Sequence, residues 1–140
     1  MDETDELTEF KYQIAKSLHL KPFDVNNLYE NDASESLSIR TKPSVESWLR
    51  GFYDAEFVIT DSFHACVFSI IFRKQFLVFG NSKRGMSRFE SLLKMFGLEN
   101  RLVDSNFDLK NLEIIDYDAV YLKYNILKEE SYSFLKKYLK

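Results

Sequence analysis

One cysteine, two histidines and four glycines are all that this sequence offers of the residues that most often carry chemistry or tight turns. The single Cys66 excludes an internal disulfide framework and suits a reducing compartment. His19 lies far from His64 and Cys66 in the chain, and that neighbouring pair alone does not make a metal-ligand set. So few glycines leave no phosphate-binding fingerprint of the dinucleotide or P-loop type. No run approaches the ~18 consecutive apolar residues of a membrane span, and Met1-Asp2-Glu3 has the wrong charge to open a signal peptide. Positive charge is not in excess either, the net being −3. Wholesale nucleic-acid binding, which shows as a basic domain, is not expected. These absences leave a soluble cytoplasmic chain with no membrane span and no nucleic-acid partner as the expectation.

What is present suits one domain. A chain of 140 residues can bury a sizeable core, and 13 Phe with 8 Tyr make that core aromatic. The chain is organised around Glu56 to Arg88. Phe57-Val58-Ile59 is a short apolar strand that ends in Thr60-Asp61-Ser62, polar residues placed to cap a following helix. Phe63 to Phe72 is almost wholly apolar, which predicts a helix buried on all sides. His64, in its first turn, is its one side chain that ordinarily titrates near neutrality. Gln75 to Phe79 is a second strand, and Gly80 to Arg88 a polar loop holding Lys83, Arg84 and Arg88.

On either side the periodicity is helical. Leu7, Phe10, Ile14 and Leu18 form one stripe, which Leu20 to Pro22 ends. Phe23 to Leu28 is a weak strand, and Asn31 to Lys42 a polar loop. Ser44 caps a helix carrying Val45, Trp48, Leu49 and Phe52. Ser87 and Glu90 have capping-box spacing ahead of Phe89, Leu92, Leu93 and Phe96, with Gly97 as the left-handed closing residue. A brief strand is expected at Leu102-Val103. Asp118 then caps a last helix with Val120, Tyr124, Leu127, Phe134 and Tyr138 on its stripe. Strands alternating with helices predict an α/β, Rossmann-like parallel sheet flanked by helices.

Such sheets bind ligands at the carboxyl ends of their strands, where His64 is expected. Its imidazole would sit beside the free amides of a helix start, which attract anions. A histidine there is suited to hold or donate a proton near neutrality. The plainer alternative is a core histidine bonded to a backbone carbonyl. Asp61 could orient His64 or serve as a cap. Arg84 and Arg88 could grip phosphate or carboxylate oxygens with their forked donors, or belong to an ordinary solvated loop. Cys66 is expected to be a small buried hydrophobe, not a reactive thiol.

Asp61-Ser62-Phe63-His64, the apolar helix, Gly80-Asn81 and Ser87-Arg88-Phe89-Glu90-Ser91-Leu92-Leu93 together resemble the polysaccharide pyruvyl transferase family. The resemblance runs from about Ser44 to Asp104 and is looser over Leu7 to Leu28. It implies a two-domain protein of the glycosyltransferase B architecture, of which residues 1–140 would be the single C-terminal α/β domain, lacking an N-terminal partner domain and inactive alone. It implies transfer of a pyruvyl group from phosphoenolpyruvate to two hydroxyls of a saccharide acceptor as a ketal, with no cofactor beyond that donor. His64 then corresponds to the general acid or phosphate contact, Ser62 to a family position that is often Arg or Ser, and Arg88 to the family's Ser-Arg-Phe; with Asp61 and Arg84, candidates on their residue types, Ser62 and Arg88 are the expected substrate-binding residues. The family commonly has Gly-Thr after the histidine, where this chain has Ala65-Cys66. Two other functions fit the same architecture: a glycosyltransferase binding a nucleotide-sugar, and a non-catalytic assembly module. A sheet edge left open by a missing strand would be a place for homo-oligomer contacts.

Overall fold

The computed structural model describes residues 5–23, 44–80 and 85–139. Helix α1 (Asp5–Ser17) and helix α2 (Val45–Asp54) precede strand β1 (Phe57–Thr60), helix α3 (Phe63–Ile71), strand β2 (Gln75–Phe79) and helix α4 (Ser87–Phe96). A 3-10 turn (Glu99–Arg101), strand β3 (Leu102–Val103), a second 3-10 turn (Leu109–Asn111) and the long helix α5 (Tyr117–Tyr138) complete the order. The three strands lie in the order β1-β2-β3, all parallel, with Phe57 opposite Gln75 and Phe79 opposite Val103. This is the expected α/β, Rossmann-like sheet flanked by helices.

β2 shows why the sheet is covered on both sides. Its side chains alternate between faces, and Phe76 through Phe79 are all buried. Phe76 and Val78 join Cys66 and Ile70 of α3, Phe89 and Leu93 of α4, and Val120 of α5 in one core. Leu77 and Phe79 join Leu7, Phe10 and Ile14 of α1 on the other face. The Phe10 and Phe79 rings are 5.1 Å apart. Among the described residues, α1 therefore covers one face together with Phe107, Leu109 and Leu112, while α3, α4 and α5 share the other.

Several element boundaries differ from the expectation. α1 is ended by His19, whose φ of 55° turns the chain, with the Leu20 amide donating back to the Ala15 carbonyl at 2.9 Å. Pro22 comes after the stop. Ser87 and Glu90 form no capping box: Ser87 is already helical, Met86 occupies the cap position, and no side chain caps that end. Gly97 does close α4 in the left-handed region, its N–H shared between the Leu93 and Lys94 carbonyls. Asp116 caps α5, accepting from the Asp118 and Ala119 amides, so Asp118 lies in the first turn instead. Of the α5 stripe only Val120 is buried, while Phe134 and Tyr138 are exposed. α3 is not sealed all round: His64 and Ile71 are exposed, and its outer face meets α2 through Phe68 against Trp48 and Phe52 and, at its closing residue, Phe72 against Tyr53. The expected strand over Phe23 to Leu28, apart from Phe23 itself, and the Asn31 to Lys42 loop lie outside the described residues.

Candidate functional site

The turn between β1 and α3 sets the geometry. Thr60 and Asp61 are buried where β1 ends, and the Ser62 amide donates to Thr60 Oγ1 at 3.0 Å. Ser62 stands at the cap position with extended backbone angles, yet its hydroxyl caps nothing. The first intrahelical bond runs from the Cys66 amide to the Ser62 carbonyl, 3.0 Å. The amides of Phe63, His64 and Ala65 are thus left without intrahelical partners, as at any helix start. The first turn of α3 holds no acidic residue to oppose an anion there.

His64 is exposed at this carboxyl rim, so the alternative of a sealed core histidine is ruled out. Arg88, also exposed, reaches the same place from the first turn of α4, with its guanidinium carbon 5.6 Å from the centre of the Phe63 ring. The imidazole of His64 meets the same ring at 6.2 Å, nearly edge-on at 81°. Phe63 in turn leans on buried Phe89 at 6.0 Å. Two predicted site residues from different helices therefore converge on one aromatic ring, which the sequence reading treated as plain core. Arg84 and Lys83 lie outside the described residues.

The remaining chemistry is inert. Cys66 is fully buried, and burial pushes its thiol up from an ordinary 9.0 to about 12, so it stays protonated at neutral pH. Arg101, which drew no notice as a sequence feature, is 2% exposed and donates to the Glu113 carbonyl. Its Nε and Nη1 are buried without a partner among the described residues, and desolvation lowers its pKa. Tyr117 donates to the Ser69 and Lys74 carbonyls, and burial likewise raises its phenol. These groups sit in the core on the α3 side and not at the rim. Among the described residues no cluster of three or more His, Cys, Asp or Glu could hold a metal ion. No helix among them is long and apolar enough to cross a membrane.

Two grooves open elsewhere. One of about 480 Å³ lies at the amino ends of β1 and β2, lined by Phe57, Gln75, Leu109 and Leu112 among others. The other, about 110 Å³, lies between Ile70, Ile71, Tyr121 and Tyr124. Neither reaches His64. His64 and Arg88 are themselves exposed to solvent at the rim.

The sequence model of the polysaccharide pyruvyl transferase family matches residues 3–83. That stretch covers α1, α2, β1, α3 and β2, with the Asp61-Ser62-Phe63-His64 turn inside it. It starts earlier than the resemblance noted above and stops before Ser87-Arg88-Phe89, so the matched stretch does not extend to Arg88. No curated protein and no solved structure matches the chain.

Proposed function

The chain belongs to the polysaccharide pyruvyl transferase family, and from that premise we propose that the α3 rim binds the phosphate of phosphoenolpyruvate for pyruvyl transfer to a saccharide. The observation that carries this reading is an exposed His64 in the uncapped first turn of α3, inside the matched stretch. Amides without an intrahelical acceptor, together with the helix dipole, favour a phosphate at that point. Arg88 supplies the cationic donor that the uncharged Ser62 lacks.

The chemistry asks for three things. The donor's methylene carbon takes a proton and becomes a methyl group, which leaves an oxocarbenium-like centre at the neighbouring carbon. One sugar hydroxyl adds there and gives its proton to the imidazole of His64, which has just lost one to the methylene carbon. Phosphate then leaves with the electron pair of its C–O bond, the second hydroxyl closes the ketal, and its proton goes to the departing phosphate. His64 is the general acid for the first proton, within reach of an anion held by the α3 amides. Donors aimed at the phosphate stabilise the charge that develops on it. Ser62 contributes a hydroxyl at the same turn, and Asp61 the carboxylate at its base. The acceptor sugar's hydroxyls would be presented by a second α/β unit facing this rim.

Thermal unfolding with added ligands tests the reading. Phosphoenolpyruvate should raise the melting temperature as its concentration passes the dissociation constant, and His64→Ala should abolish transfer in the assembled enzyme. His64 is exposed, so its loss should change stability by no more than about 0.5 kcal/mol. Protection by a nucleotide-sugar and none by phosphoenolpyruvate would replace the reading with glycosyl transfer. Full activity in His64→Ala would remove the general acid.

A further inference from the structure

We propose that Phe63 is a positioning residue, whose ring holds the Arg88 guanidinium beside His64 at the first turn of α3. The inference rests on the function proposed above and deepens it. Arg88 is exposed, and an arginine with no anchor spreads over many rotamers, each ordered only at a cost when a ligand binds. The ring removes part of that cost. Its face attracts the cation at 5.6 Å, the imidazole meets it at 6.2 Å, and Phe89 braces it from the core at 6.0 Å. Phe63 packs partly buried against the α3–α4–α5 core, so the platform itself is fixed. A leucine would keep the packing but not the negative ring face. A tyrosine would keep both.

The test is a double-mutant cycle on the full 140-residue chain, with inorganic phosphate and phosphoenolpyruvate titrated separately and binding read by calorimetry and by amide shifts. Phe63→Leu should weaken both ligands about threefold, the size of an exposed cation–π contact. Phe63→Tyr should bind like the unaltered chain. Arg88→Ala should weaken binding about tenfold, as for loss of a charged hydrogen-bond donor, and adding Phe63→Leu to it should cost nothing more. Fully additive losses, or no rescue by tyrosine, would overturn the role of Phe63 while leaving phosphate binding in place. Absence of binding by the unaltered chain would overturn the proposed function and this inference together. Should Phe63→Leu lose its amide dispersion, Phe63→Met replaces it in the cycle with the same expected outcomes.

Discussion

Cys66 lies two residues after His64, close enough to the rim that a nucleophilic thiol would change the mechanism, and its burial makes a quantitative prediction. In the unfolded chain the thiol ionises at its ordinary 9.0; in the folded chain burial holds it to about 12. A group whose folded value is raised contributes stability that is fully present below the unfolded value and lost as pH climbs toward the folded one. The window is therefore pH 9 to 12. At pH 10 the unfolded thiol is about ten-elevenths ionised and the folded one hardly at all, a difference of about 1.4 kcal/mol. Cys66→Ala removes this dependence. The substitution itself costs about 1 kcal/mol for the lost buried sulfur, at every pH. Urea unfolding at pH 7 and pH 10 should then show the unaltered chain losing about 1.4 kcal/mol more than Cys66→Ala. Tyr117, whose phenol is also raised, lowers both proteins in the same direction and so largely cancels. Equal losses in the two proteins would show that Cys66 is reached by solvent in the folded state. Cys66 would then be a candidate nucleophile.

Two structural predictions accompany it. Gln75 opens β2 and grips the backbone of Ile115 twice, accepting from its amide at 2.8 Å and donating to its carbonyl at 3.3 Å. Gln75→Met keeps the bulk but strands a partly buried amide, so urea unfolding should show a loss of about 1–3 kcal/mol; a change below 0.5 kcal/mol would mean that the segment before α5 is held by packing instead. Gly97 closes α4 at a φ of 71°. Gly97→Ala should cost about 1 kcal/mol in the same assay, and Gly97→Asn less, because asparagine tolerates the left-handed region; a Cβ there would also crowd the Lys123 side chain, so identical losses would point to that contact and not to backbone strain.

Sequence alone determined the layering of this protein. The unbroken apolar run from Phe76 to Phe79, the stripes of α1 and α4 and the short apolar run of β1 each require burial of particular faces, both of them for β2, and that requirement is local. The turn carrying Ser62 and His64 was legible for the same reason, since a strand, a polar triplet and an apolar helix lie consecutively. Helix ends were less legible. Ser87 and Glu90 have the spacing of a capping box, but the chain enters α4 one residue early. Asp116 and Asp118 are equally good caps by composition, and only the path of the chain chooses between them. α3 looked apolar throughout, yet one of its sides is covered only where α2 reaches it. The meeting of Arg88 with His64 belongs to tertiary structure alone. They are separated by a whole strand, and packing of α3 against α4 brings both to the Phe63 ring. Periodicity specifies which side of an element faces the core. Which exposed side chains become neighbours at the end of a sheet is decided by the distance and direction between elements, and no local pattern encodes that.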